Sequence, residues 1–239
     1  MKKKKIFALL VLLILVFIGV LAWRNRNDAG QTTPISSFNK LRYSTSKPSS
    51  LWVVVNKKSP LPSGYTPKTL RQPSVKVRIN GSQEMLLRDE AATALEKLMA
   101  DAKDEAIDLM LVSGYRSFAL QKAVYERNVS EQGRAEADKT SARPGHSEHQ
   151  TGLAADLGTT NGQCELQICF GDSKEGKWLA KNAQNYGFII RYQEGKQSVV
   201  GYSYEPWHIR YVGKALSREI FKNKTTMEEF FNLPSAKDY

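Results

Sequence analysis

Histidine and cysteine are the scarce residues of this 239-residue chain, three of one and two of the other. Two cysteines exclude a disulfide-dense mini-fold and a four-cysteine zinc site. Three histidines leave few ways to build a histidine-based site, so their placement is informative. Several catalytic signatures are missing: there is no HExxH helix, GxSxG turn, Walker A loop or GxGxxG fingerprint. Ser44-Thr-Ser-Lys47 matches SxxK by letter, but it lies in a polar stretch and no KTG element accompanies it. A serine peptidase of the penicillin-binding type is therefore excluded. Disorder of the whole chain is excluded too, because 41% hydrophobic and 25% charged residues are ordinary values for a folded domain.

Acidic residues are outnumbered by basic ones, giving a formal charge of +11. That balance first suggests a polyanionic partner: nucleic acid, a membrane or an acidic polymer. The distribution narrows the choice. Lys2, Lys3, Lys4, Lys5, Arg24 and Arg26 against Asp28 place +5 within residues 1–30, which leaves +6 for the rest. Between them, Ile6 to Trp23 is an uncharged apolar run of eighteen residues. As a helix it would span roughly 27 Å, close to the hydrocarbon thickness of a bilayer. The preceding lysines orient residues 1–5 to the cytoplasm and the remainder outside. The expectation is an uncleaved signal-anchor over 6–23, with a secreted form after signal-peptide cleavage as the alternative. An exported basic domain meets anionic wall polymer or lipid head groups, not nucleic acid. Export also permits a disulfide between Cys164 and Cys169 in CELQIC, two free thiols being the alternative.

Residues 24–50 read as a polar tether and 51–239 as the folded domain. Within it, LWVVV (51–55) is a strand candidate. The stretch from Asp89 to about Ala106 has helical spacing, with Ala92, Leu95, Leu98, Met99 and Ala102 on one face. IDLMLVS (107–113) reads as a buried strand, and Ser117 as the N-cap of a helix to about Ser130. RAEADKTSARPG (134–145) reads as a polar loop. Strands are expected at 151–158, 188–192 and 207–212, and a helix at 175–186 that stops at Gly187. Two helices close the chain, the last opened by a Thr226/Glu229 capping box. This irregular order predicts an α+β fold.

All three histidines lie beside acids. His146 and His149 neighbour Glu148 and Asp156 in ARPGHSEHQTGLAADL, and His208 follows Glu205 in YSYEPWHIRYVG. Zinc accepts histidine nitrogen and carboxylate oxygen, and a catalytic site keeps three protein ligands with one open position. His149, Asp156 and His208 are candidates for such a set. In a strand over 153–157, Asp156 shares its face only with Ala154, while Leu153, Ala155 and Leu157 face the other way. The same alternation puts His208 with Pro206 and Arg210, and Trp207, Ile209 and Tyr211 toward the core.

Two segments match known motifs. Ser147-Glu-His-Gln-Thr-Gly-Leu-Ala-Ala-Asp156 fits SxHxxGxAxD, and Glu205-Pro-Trp-His208 fits ExxH. With the upstream Ser113-Gly-Tyr-Arg-Ser…Gln121 segment, the chain from about Leu51 to Gly213 resembles the VanY-like zinc D,D-/L,D-carboxypeptidases of peptidoglycan. The resemblance implies a small, mainly antiparallel sheet flanked by helices, as in the Hedgehog/DD-peptidase fold. It implies one zinc ion per chain held by His149, Asp156 and His208, with Glu205 as general base. Arg116 would stabilise the oxyanion or the substrate's terminal carboxylate. Ser147, Gln121, Tyr115 and Trp207 would contact the stem peptide, and His146 has no assigned role. The implied reaction removes the C-terminal D-Ala from a D-Ala-D-Ala end. L,D-carboxypeptidase action on a tetrapeptide stem is the alternative within the class. A non-catalytic wall-binding domain and an anionic-polymer tether are alternatives outside it. Nothing in the sequence points to an oligomeric partner.

Overall fold

In the computed structural model, which describes residues 38–239, two short strands lead into the core. β1 (Leu70–Arg71) and β2 (Leu87–Arg88) pair antiparallel. The chain then enters α1 (Asp89–Asp104). Its positions Ala92, Leu95, Leu98, Met99 and Ala102 are all buried, as their spacing predicts. Asp89 and Glu90 occupy its first turn, where the helix dipole favours negative charge.

The remaining strands form one sheet in the order β3-β4-β6-β5, every pair antiparallel. They are β3 (Leu109–Ser113), β4 (Ala154–Thr159), β5 (Phe188–Tyr192) and β6 (Glu205–Tyr211). Between β3 and β4 lie α2 (Phe118–Gln132), whose N-cap Ser117 accepts the Leu120 N–H, and α3 (Arg134–Thr140). α4 (Lys174–Asn182) follows β4, and α5 (Gln197–Val200) joins β5 to β6. α6 (Lys214–Asn223) and α7 (Met227–Phe231) complete the chain, α7 opening on the expected Thr226/Glu229 capping box. The architecture is α+β with a small antiparallel sheet.

Both faces of this sheet are buried, and they differ in kind. Leu153, Ala155, Leu157 and Ile209 join Leu95, Leu98, Phe170 and Leu179 in the main hydrophobic core, with Trp207 and Tyr211 packed against it. The opposite face carries Asp156, His208, Arg210 and Arg191, all at or below 5% exposure. Two irregularities in register flank the acidic and histidine positions. One, between Leu111 and Ser113, brings Ser113 opposite Asp156; the other, between Ile190 and Tyr192, leaves Glu205 opposite Tyr192. Bulges of this kind re-aim side chains where a ladder ends.

Two expectations are corrected. Residues 51–55 form no strand. They are a turn followed by irregular chain, buried from Trp52 on, whose Leu51 and Val53 carbonyls accept from the Arg210 guanidinium, so those carbonyls need no ladder partner. Residues 134–140 are α3 and not loop. Its single fully buried apolar residue, Ala137, gave too weak a periodicity to read. The compact unit begins at Lys40, and residues 40–50 contact it while staying mostly exposed. Thr45, for example, accepts the Val54 N–H, and Tyr43 meets the Trp52 ring edge-on. No helix among the described residues is long and apolar enough to cross a membrane, and the expected span at 6–23 lies outside them.

Candidate metal centre and its cleft

Asp156 and His208 are directly opposed on β4 and β6, so sheet pairing alone brings them together. His208 Nδ1 lies 3.0 Å from Asp156 Oδ1. His149 enters from the 3₁₀ turn Glu148–Thr151 that precedes β4, and its Nε2 lies 3.2 Å from Asp156 Oδ2. The three offer one ligand atom each, all within 4.8 Å of one another, and all three residues are buried. Ligands about 2.0–2.1 Å from a tetrahedral zinc are about 3.3 Å apart, so this donor set fits the ion with small adjustments.

Local backbone chemistry explains the fixed letters of the motifs. His149 Nδ1–H donates to the Gly114 carbonyl at 2.6 Å, which leaves the Nε2 lone pair for the site. A Cβ on Gly114 would meet the Leu86 carbonyl oxygen at 2.5 Å, so only glycine fits there. Gly152 ends the histidine turn with a φ of 66°, and a Cβ on it would press on Leu70 at 2.9 Å. The SGYR segment is thus the support of His149, and the Arg116 N–H closes the contact by donating to the His149 carbonyl.

The three residues lie at the floor of a cleft of about 720 Å³. Glu205 lines it, its side chain 15% exposed and its carboxylate 3.8 Å from His208 Nδ1. Burial raises the Glu205 pKa to about 8; His208 and Arg116 oppose the shift, and Asp156 and Glu148 add to it. At His208, burial works against the charged ring. The hydrogen bond to Asp156 and the nearby carboxylates of Glu148, Asp156 and Glu205 outweigh it, taking the pKa to about 9. At Asp156, burial is outweighed by the His149 and His208 rings that face it, so its carboxyl stays well below the usual range. The centre therefore holds one carboxylate firmly ionised beside a second whose proton is loosely assigned.

The other expected site residues fall into two groups. Arg116, Gln121, Ser147 and Trp207 line the cleft. Arg116 is half-buried, with Nη1 donating to Gln121 at 2.9 Å and Nη2 to Ser113 at 3.1 Å. Gln121 also donates to the Ala142 carbonyl, so it clamps Arg116 against the next loop. Tyr115 is buried at 2% exposure and is not among the residues that line the cleft. His146 lies away from the centre, donating from Nδ1 to the Asn56 carbonyl with Tyr239 edge-on to its ring.

Some neighbours escaped the sequence. Cys164 and Cys169 are disulfide-bonded as expected, but that their loop forms part of the cleft wall through Leu166, Gln167 and Ile168 was not foreseen. Tyr192, Tyr202 and Tyr204 line another part. The exposed apolar Leu166 and Ile168 inside CELQIC were the one available signal for that wall.

Two histidines and an aspartate on a buried sheet face, with an acid and an arginine beside them in a cleft, suit a metal-dependent hydrolase on an α+β fold. The chain belongs to the VanY family: the family model for D-alanyl-D-alanine carboxypeptidase matches residues 84–214. A Bacillus subtilis (strain 168) protein named as carboxypeptidase YodJ is 43% identical over 185 residues, 77% of this chain and 68% of its own. The solved LdcB LD-carboxypeptidase is similar with TM-score 0.74 at 42% identity, over 79% of this chain and 88% of that one. A zinc complex of a variant of the vancomycin-resistance D,D-pentapeptidase VanY is similar with TM-score 0.65 at 30% identity. It covers 78% of this chain and all of that one.

Proposed function

We propose that this protein is a zinc-dependent carboxypeptidase that removes a C-terminal D-alanine from peptidoglycan stem peptides. The observation that carries this reading is the convergence of His149, Asp156 and His208, with Glu205 and Arg116 beside them in one cleft. The zinc complex of a VanY relative supports the choice of metal. In this reading His149 Nε2, one Asp156 oxygen and His208 Nδ1 hold the ion. Bound there, zinc would polarise the scissile carbonyl and bring a water to an acidity near neutral.

The protein's own groups do the rest. Glu205 receives the proton of the attacking water and returns it to the leaving amine nitrogen. Its pKa near 8 describes the protein without a cation; a divalent charge beside it lowers that value into the range of a working base. Arg116, pinned by Gln121 and Ser113, offers its planar fork to the terminal carboxylate or the developing oxyanion. Ser147 and Trp207 line the same space for the peptide. A non-catalytic wall-binding domain would have no need to keep Glu205 beside an intact donor set.

The D-Ala-D-Ala end is the first substrate reading, following the family description. A second, L,D-carboxypeptidase action on tetrapeptide stems, is favoured by the likeness to LdcB. We place the domain on the outer side of the membrane, tethered by the apolar run at 6–23. Mass spectrometry of defined pentapeptide and tetrapeptide stems, with and without chelator, tests the proposal. Loss of one alanine from either stem, abolished by chelator, is expected; both stems intact with zinc present would refute it. Glu205→Ala should keep zinc and lose at least about 10²-fold in turnover. Near-normal turnover in that variant would remove Glu205 from the mechanism.

A further inference from the structure

Glu148 occupies a position that the SxHxxGxAxD pattern leaves open, yet it is 1% exposed beneath the candidate metal centre and is not part of the cleft wall. Its Oε1 accepts from Arg191 Nε at 2.8 Å and from Arg210 Nη1 at 2.7 Å. Arg191 also forks onto Glu228, at 2.9 and 2.7 Å, and Glu228 Oε1 accepts from Asn56 at 2.9 Å. Two acids and two arginines thus balance one another in the interior. Three of the four carboxylate oxygens are hydrogen-bonded. The fourth, Glu148 Oε2, has no hydrogen-bond partner and faces His208 Nε2 at 3.5 Å, and that nitrogen has none either.

The two orphaned atoms answer each other. If His208 gives its Nδ1 lone pair to a cation, its proton must sit on Nε2, and a buried N–H without an acceptor costs as much as a lost hydrogen bond. Among the described residues, no hydrogen bond claims that proton, and Glu148 Oε2 is the acceptor facing it. The ring has little room to turn, since Tyr192 lies 4.7 Å from it centroid to centroid and His149 is edge-on at 5.0 Å. We infer that Glu148 is a positioning residue: its Oε2 accepts the Nε2–H of His208 and fixes the tautomer whose Nδ1 faces Asp156 and the metal. Arg191 and Arg210 hold this acceptor in place. The inference rests on the metal-binding reading given above.

Glu148→Gln tests it, because the two arginines claim the amide oxygen. The NH2 group is then turned toward His208 Nε2, and the ring is driven to the wrong tautomer. Zinc affinity of the full chain, measured against a competing chelator, should weaken by about 10–100-fold. Glu228→Gln removes a charge from the same network without touching His208. It should lower the melting temperature and leave zinc affinity near wild type. Equal weakening in both variants, or wild-type affinity in Glu148→Gln, would overturn the inference.

Should Glu148→Gln fail to fold, ¹⁵N-imidazole NMR of the wild-type chain loaded with zinc decides. A slowly exchanging Nε2–H on His208 is expected; zinc on Nε2, or fast exchange of that proton, overturns the inference. A wild-type chain that hydrolyses stems and binds zinc while failing these readouts loses only the role of Glu148. A wild-type chain that binds no zinc loses the functional reading as well.

Discussion

The two faces of the β3-β4-β6-β5 sheet are equally hidden from water and are held together by different physics. On one, Leu153, Ala155, Leu157 and Ile209 pack against α1 and gain stability from apolar area removed from solvent. On the other, Asp156, His208, Arg210 and Arg191 are buried among charges. Burying charge is unfavourable in itself, and each group stays ionised only because a named partner compensates it. Glu148 shows the balance: burial would raise its pKa, but Arg210 and Arg191 reverse that and hold it low. The apolar face tolerates imperfect partners, and the ionic face does not. That intolerance makes the second face suited to hold a metal in fixed geometry.

The contrast can be broken most severely at the donor set. Asp156→Ala removes the group that both histidines face, so zinc should be lost and turnover should fall to background. Stoichiometric zinc by elemental analysis of that variant would show that Asp156 is not a ligand. Next in size, Arg210→Met leaves Glu148 short of a partner and frees the Leu51 and Val53 carbonyls. A loss of about 3–5 kcal/mol in denaturant unfolding is expected, with weakened zinc binding. Leu157→Ala on the apolar face should cost a comparable 2–5 kcal/mol, roughly the range for buried leucine truncations, with zinc affinity unchanged. If the two variants shift zinc affinity alike, the faces are not functionally separate.

The smallest effect is in pH dependence and also belongs to the ionic face. In chelator-treated protein, the pKa of Glu205 is raised to about 8 by burial. That of His208 is taken to about 9 by Asp156 and Glu148, against the effect of burial. Both groups bind protons more tightly folded than unfolded. Their contribution to stability is complete below the unfolded values, about 4.3 and 6.5, and is lost as pH rises through about 8 and 9. The melting temperature should therefore fall, by about 5 °C or more, between pH values of about 5 and 9. Zinc, by replacing those protons, should flatten the slope. A chelator-treated protein whose melting temperature rises over that interval would contradict the burial of these groups.

Much of this was legible in the sequence wherever a signal is local. The buried stripe of α1, the Ser117 and Thr226 caps, the FIIRY strand and the alternation that separates His208 from Ile209 all rest on spacing within a few residues. The misreadings share a cause. LWVVV has strand composition, but its carbonyls are taken by an arginine about 160 residues away. α3 is held by Ala137 and its neighbours, a contact that no periodicity announces. Tyr115 belongs to the recognised segment, yet it is buried and does not line the cleft.

The sequence by itself singled out the candidate residues: three scarce histidines beside acids, with Asp156 and His208 on strands whose alternation turns them to one face. Spacing along a strand sets the face of a side chain, and that is a local property. Tertiary structure alone decided the partners. It set the bulges that place Ser113 and Glu205, the Gly114 carbonyl that orients His149, and the pairing of Glu148 with Arg191, Arg210 and His208. Those partners lie 35 to 62 residues apart in the chain. Their compensation exists only once the sheet has closed over them, because a charge finds its stabilising neighbour through space.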